Sequence, residues 1–127
     1  MAALRVYDNL PSYCASKFAI LGFTKADAMR YGRDHIRVNA VCPGVIKTPL
    51  LGNISDDDTT SIGEMTKEMA LGRQGQPEEV AEALYWLTSP QSSFVTGIAL
   101  PVNGGKLLDQ YPPRLHDLTC PLGMVGA

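Results

Sequence analysis

The chain has 127 residues, of which 45% are hydrophobic and 19% are charged, and its formal net charge is −2. This composition is typical of one soluble globular domain and argues against a disordered or fibrous protein. The mildly acidic balance gives no electrostatic reason to expect nucleic acid or an anionic membrane as a partner, and no apolar run reaches the roughly 20 residues of a membrane span.

The cysteines and histidines indicate the compartment and argue against a metal site. Cys14, Cys42 and Cys120 form no C-x-x-C motif and are odd in number. Since the N-terminus also lacks the charged-then-apolar layout of a secretion signal, we expect a reduced, cytoplasmic setting. His35 and His116 have no ligand-like neighbours in the sequence, so no metal site is predicted.

The first predicted element after a loop at 1–12 is a long helix. It runs from Ser12, a possible N-cap, to about Arg33. Its first half is apolar on nearly every face, which is typical of a helix buried on two sides, by its own core and by a second subunit. We therefore expect a homo-oligomer that forms through the helix of residues 13–31.

A tyrosine and a lysine stand four residues apart at the start of this helix, in Tyr13-Cys14-Ala15-Ser16-Lys17. Residues spaced i and i+4 lie on one helical face, so Tyr13 and Lys17 can reach the same site. A free tyrosine loses its proton only near pH ~10, and a fixed cation nearby favours the phenolate. The pair is a candidate general acid/base, although a surface tyrosine with a solvated lysine has the same spacing.

Two short runs that are rich in branched residues predict strands. The first covers residues 36–42 and ends at Pro43-Gly44, and the second covers residues 98–102. A strand, a helix and a strand in this order form a parallel βαβ unit, so the fold class is α/β. Parallel strands are normally paired on both edges. The sheet should therefore be completed by oligomerisation or by sequence upstream of Met1.

The residues between the strands predict one loop and a second clear helix. Residues 47–70 are polar and predict a loop with a short helix near 64–70. Pro77, followed by two glutamates, predicts a helix start, and Pro90 predicts its end. The buried stripe of this helix is predicted to consist of Val80, Leu84 and Leu87.

Several short motifs follow one another in a fixed order along the chain. They are the Tyr13–Lys17 pentapeptide, residues 36–41, residues 43–48, Gly72-Arg73, residues 77–81, Thr96-Gly97 and residues 102–105. Their order and spacing resemble the C-terminal half of a short-chain dehydrogenase/reductase, and the resemblance covers residues 10–105. A lone Y-x-x-x-K motif would be weak evidence, whereas the linked series indicates common ancestry.

The resemblance implies a partial Rossmann-like, doubly wound parallel sheet, and hydride transfer between NAD(H) or NADP(H) and a small alcohol or carbonyl compound. Tyr13 would exchange the proton with the substrate, and Lys17 would favour the phenolate and hold the nicotinamide ribose. The Ile46 backbone and the Thr48 side chain would hold the carboxamide and the nearby phosphate region, and residues 49–70 would be the substrate lid. The implied cofactor-binding residues are Tyr13, Lys17, Pro43, Gly44, Ile46 and Thr48.

Two parts of the family pattern have no counterpart in this sequence. The glycine-rich loop that cradles the pyrophosphate lies far upstream of the family's tyrosine, and the catalytic serine also falls before the position of Met1. We therefore expect residues 1–127 to form a single truncated Rossmann-like domain. It would consist of a loop at 1–12, a family-like core at 13–105 and a C-terminal tail at 106–127.

Three functions are compatible with these observations. The first is an NAD(P)-dependent oxidoreductase with Tyr13 as its acid/base. The second is a non-redox isomerase, dehydratase or lyase, because Tyr13 and Lys17 are present and the phosphate loop is not. The third is a non-catalytic remnant that binds a full-length relative through its apolar helix and open strand edge.

Overall fold

The computed structural model describes residues 3–51 and 61–106. Its helices and strands follow the order α1 (Pro11–Tyr31), β1 (Ala40–Pro43), α2 (Ser61–Lys67), α3 (Pro77–Thr88) and β2 (Ala99–Val102), with 3-10 turns at Gly32–Asp34, Pro49–Leu51 and Pro90–Ser92. Residues 52–60 of the predicted lid and residues 107–127 of the predicted tail lie outside the described residues.

α1 begins one residue earlier than the sequence predicts. Leu10 occupies the N-cap position, Pro11 is the first helical residue, and the Cys14 amide donates to the Leu10 carbonyl over 2.9 Å. Proline has a fixed φ and lacks the amide that would go unpaired, so it suits this position. The expectation that Ser12 caps the helix is therefore wrong, because Ser12 already lies within the first turn.

The strands β1 and β2 are parallel, as predicted, with Ala40 opposite Ala99 and Pro43 opposite Val102. The predicted start of the first strand at residue 36 is wrong, since β1 begins at Ala40. The residues just before it bond to a loop instead of a strand. The Val38 amide donates to the Thr96 hydroxyl over 3.1 Å, and the Val38 carbonyl accepts from the Gly97 amide over 2.7 Å.

α3 begins at Pro77 and ends at Thr88, as its local signals predict. It contacts both strands and so covers one side of the β1–β2 pair. Its predicted buried stripe is only partly correct: Leu87 is 6% exposed, but Leu84 is 48% exposed. The short helix that was predicted near 64–70 is also displaced, because α2 ends at Lys67. The chain then turns through Gly72, whose φ is +63°.

The described residues leave much apolar surface uncovered. On α1, Phe23 is 69% exposed and Met29 is 85% exposed, and Phe94 is fully exposed. β1 pairs with β2 alone among the strands of the described segments, so no other described strand covers its second edge. None of the helices described here combines the length and the apolar character needed to cross a membrane.

Candidate active site

Tyr13 and Lys17 lie on one face of the first two turns of α1. The Lys17 ammonium lies over the Tyr13 ring, 5.3 Å from its centroid, which is within the range of a cation–π interaction. Tyr13 is 51% exposed, so the phenol is accessible to a ligand. The structure thus places the two residues of the predicted acid/base pair in contact, with the Lys17 ammonium against the face of the Tyr13 ring.

The start of α1 is fixed by the preceding loop. The Cys14 thiol is buried, accepts a hydrogen bond from the Tyr7 amide over 3.3 Å and donates to the Tyr7 carbonyl over 3.8 Å. The Ser16 hydroxyl is occupied locally, because it donates to the Tyr13 carbonyl over 2.7 Å. These bonds hold the backbone on both sides of Tyr13, so its ring projects from an ordered helix start.

A cavity of about 360 Å³ lies between α1 and β1. Its lining includes Tyr13, Lys17 and Ile20 on α1, all four residues of β1, and Gly44 just after the strand. Ligand sites of open parallel sheets lie at the carboxyl ends of the strands, where loops leave the sheet. Four of the residues predicted for catalysis or cofactor binding line this one cavity, and two of them, Pro43 and Gly44, lie at the carboxyl end of β1.

Gly44 allows the chain to pass close to the turn after β2. Its amide donates to the Val102 carbonyl over 2.8 Å. A Cβ atom at position 44 would lie 2.7 Å from the Asn103 Cα, and that backbone atom cannot move aside as a side-chain tip could. Glycine is therefore required here for the chain to pass the turn after β2.

Ile46 and Thr48 are not in the lining of this cavity. The Ile46 side chain lines a separate depression of about 430 Å³. Its backbone forms a parallel bridge with Gly75, in which the Gly75 amide donates to Val45 and the Lys47 amide donates to Gly75. The Ile46 amide therefore takes no part in the two hydrogen bonds of this bridge. The Thr48 carbonyl accepts from the Leu51 amide over 3.0 Å.

An ion pair fixes the segment that leads into α3. Arg73 donates to both carboxylate oxygens of Glu79, over 2.9 and 2.7 Å, and the Gln76 amide donates to Glu79 over 2.7 Å. Chiefly through the Arg73 hydrogen bond, these contacts lower the pKa of Glu79 to about 2. The carboxylate therefore stays charged at neutral pH and fixes the start of α3.

Sequence analysis did not identify two structural side chains that precede β1. Arg37 donates to the Val95 and Ser89 carbonyls, each over 3.2 Å. Asn39 donates to Val95 over 2.9 Å and accepts from the Ile98 amide over 3.2 Å. An arginine and an asparagine inside the predicted strand 36–42 were the available signal, but their partners lie more than 50 residues away in the sequence.

The described residues fit one end of a nicotinamide dinucleotide. Tyr13 and Lys17 supply a hydroxyl and an ammonium at the cavity, which suit the hydroxyls of a ribose, whereas Ile46 lies outside the lining of this cavity. α1 and α3 each begin at a proline and not on a glycine-rich loop of the kind that cradles a pyrophosphate. The fit is therefore to the nicotinamide riboside end. No cluster of three or more potential metal ligands occurs within the described segments.

A parallel βαβ unit whose first strand lines a cavity together with a tyrosine and a lysine of the preceding helix defines a Rossmann-like α/β protein. A family profile described as enoyl-(acyl carrier protein) reductase matches residues 1–106. The chain belongs to the short-chain dehydrogenase/reductase family.

Known members of the family are similar in both sequence and structure. The cyclohexanol dehydrogenase of Acinetobacter sp. (strain SE19) is 42% identical over 104 residues, which are 82% of this chain and 39% of that protein. The structure of 4-hydroxyisoleucine dehydrogenase complexed with NADH matches with a TM-score of 0.73 and 32% identity, over 84% of this chain and 44% of that one. A structure from Agrobacterium tumefaciens with bound NADP matches with a TM-score of 0.78 and 31% identity, over 84% and 43%. The chain thus spans less than half the length of these relatives.

Proposed function

We propose that this chain carries the acid/base half of an NAD(P)-dependent oxidoreductase that acts on a small alcohol or carbonyl compound. The observation that supports this most directly is the cavity that Tyr13 and Lys17 share with β1 and with Gly44, which follows the strand. The similar cyclohexanol dehydrogenase and the two similar structures that contain NADH and NADP agree with this chemistry.

In this proposal the bound nicotinamide supplies or accepts the hydride. Tyr13 gives its phenolic proton to a carbonyl oxygen in reduction and takes it from a hydroxyl in oxidation. Lys17 stabilises the phenolate electrostatically and donates hydrogen bonds to the ribose hydroxyls. Pro43 and Gly44 form the opposite wall, and the Ile46 amide and the Thr48 hydroxyl hold the carboxamide side of the cofactor.

Titration of the full chain with NADH and NADPH, followed by nicotinamide fluorescence, tests the cofactor site. We expect saturable binding of one of the two, weakened about tenfold or more in Lys17→Met because a charged hydrogen bond contributes about 1.5–3 kcal/mol. Lys25→Met is the matched control, since Lys25 is an exposed lysine of the same helix. Failure of both cofactors to bind at millimolar concentrations would contradict the proposal.

Tyr13→Phe tests the acid/base role separately. The phenylalanine ring keeps the cation–π contact with Lys17, so cofactor binding should persist. Alcohol oxidation should fall by about 10²–10⁴-fold, the usual contribution of general acid–base catalysis. Unchanged turnover in this variant would show that Tyr13 is not the proton donor.

A non-redox isomerase, dehydratase or lyase is the alternative. It is supported by one observation: the acid/base pair lines a cavity, and proton transfer by such a pair needs no nicotinamide. Turnover without any nicotinamide that is abolished by Tyr13→Phe would support this alternative over the oxidoreductase.

We also propose that copies of the chain associate through the helix of residues 13–31. Phe18, Ile20, Phe23 and Met29 are exposed on α1, and an apolar surface of this kind is typical of an interaction site. Analytical ultracentrifugation should show a dimer or larger species that Phe23→Asp dissociates. A folded wild-type monomer would argue against both this association and the second alternative, a non-catalytic remnant that binds a full-length relative.

A further inference from the structure

The depression of about 430 Å³ that Ile46 lines is separate from the cavity of Tyr13 and Lys17, and neither of these two residues belongs to its lining. Its volume lies within the range of about 300–1,000 Å³ that is typical of ligand pockets. Most of its walls are apolar side chains, which belong to Val45, Ile46, Ala70, Leu71, Pro101 and Val102. The depression therefore has the size and the apolar character of a site for a small organic molecule.

Asn103 is the buried polar side chain in these walls, with 7% of its surface exposed. Its Oδ1 accepts a hydrogen bond from the Gly105 amide over 3.0 Å. This bond fixes which end of the side-chain amide carries the oxygen, since a nitrogen at that end would place two donors against each other. Nδ2 then has no hydrogen-bond partner among the described residues. Buried donors without an acceptor are rare in folded proteins, because they lose the hydrogen bonds that they make in water.

The surrounding backbone holds Asn103 in this orientation. Gly104 and Gly105 form the turn after β2 with φ values of +60° and +80°, which favour glycine, and both also line the depression without adding a side chain to it. On another side the chain at Gly44 passes so close that a Cβ atom there would lie 3.1 Å from the Asn103 Cβ. Asn103 is thus packed against Gly44 and bonded to Gly105, so its Nδ2 is not free to turn toward a different acceptor.

An ion pair at the rim of the depression indicates the charge of a suitable ligand. Arg73 and Glu79 both line the depression, their side chains are 47% and 43% exposed, and they are joined by two hydrogen bonds. A carboxylate ligand would be repelled by Glu79, and a cationic ligand would be repelled by Arg73. Because Asn103 offers a donor, a neutral molecule with an acceptor oxygen suits the depression best.

We propose that this depression binds a small neutral organic molecule whose carbonyl oxygen accepts a hydrogen bond from the Asn103 Nδ2. The rest of the ligand lies against the apolar walls, while the glycine turn after β2 leaves room beside the amide. The site is one of binding and not of catalysis, since the acid/base pair lies in the other cavity. It goes beyond the proposed function and does not depend on it.

Titration of the ¹⁵N-labelled full chain with N-ethylpyrrolidone, followed by NMR, tests the site. This neutral lactam has a strong acceptor oxygen and an apolar body. It should shift the side-chain amide resonances of Asn103 and the backbone amide of Leu71 in a saturable way. Asn103→Asp keeps the oxygen that bonds Gly105 but replaces the Nδ2 donor, so it should weaken binding about tenfold or more. Asn9→Asp, the same change at an exposed loop position, is the matched control and should leave the affinity unchanged.

Two further variants make the result decisive. Ala70→Trp places a large side chain in the lining at an exposed position and should abolish binding, which keeps the test valid if Asn103→Asp does not fold. Lys17→Met should bind the lactam as the wild type does, whereas loss of binding in this variant would place the ligand in the cavity of Tyr13 and overturn the proposal. Equal affinity of wild type and Asn103→Asp, or no shift at Asn103, would overturn it as well. Failure of NADH to bind would leave this result unaffected.

Discussion

Replacing Asn39 with alanine should loosen the junction that aligns β1 with β2. The Asn39 side chain donates to the Val95 carbonyl and accepts from the Ile98 amide, over 2.9 and 3.2 Å. Val95 keeps a bond from Arg37, but the Ile98 amide loses the only partner that the structure gives it among the described residues. Two lost hydrogen bonds at about 1 kcal/mol each predict a loss of about 2 kcal/mol.

Thermal unfolding followed by circular dichroism measures this effect. A loss of about 2 kcal/mol lowers the Tm of a domain of this size by roughly 10 °C. Asn9→Ala is the matched control, because Asn9 is exposed in the loop before α1 and should shift the Tm by little. If the two variants melt within a degree or two of each other, the side chain of Asn39 does not fix the junction and our assignment of its role is wrong.

Two further predictions concern the segments on either side of this junction. The pKa of Glu79, held at about 2 chiefly by the Arg73 hydrogen bond, lies below its ordinary 4.5, so this carboxylate contributes stability above pH 4.5 that is lost as the pH falls toward 2. Urea unfolding between these two pH values should therefore depend less on pH in Glu79→Gln than in Glu78→Gln, and equal slopes would contradict the assignment. Gly44→Ala should cost about 1–3 kcal/mol by overpacking. Gly22→Ala, in a helical position with open space around it, should be neutral or stabilising, and equal effects in denaturant unfolding would disprove the close approach at Gly44.

Local signals explain which parts of the fold are predictable. The start of α3 is encoded by Pro77 and the glutamates that follow it, which act within one turn, and the prediction is confirmed. The spacing of Tyr13 and Lys17 is also local, because i and i+4 positions meet on any helix. The parallel pairing of the two strands follows from the order of the elements and is confirmed.

The errors come from contacts between distant parts of the chain. The start of β1 was misplaced because residues just before it bond to residues 95–98, which no local pattern reveals. The burial of Lys106 depends on Met65 and Glu68, about 40 residues upstream. The helical spacing of apolar residues was the only basis for predicting that Leu84 is buried. Leu84 is exposed instead, and the described sheet has only two strands with which α3 can pack.

The parallel pairing of β1 and β2 has a consequence for how the cavity forms during folding. Its walls come from a short stretch of chain, since Tyr13 and Gly44 both lie in the first 44 residues. The strand β1 that lines it, however, is held by β2, and the junction between Asn39 and Ile98 closes a loop of 59 residues at an entropic cost of about 3–4 kcal/mol. Because this long-range pairing holds one wall of the cavity, a ligand that binds the cavity only in the folded chain should raise the melting temperature of the whole βαβ unit, by an amount that grows with the logarithm of ligand concentration over Kd.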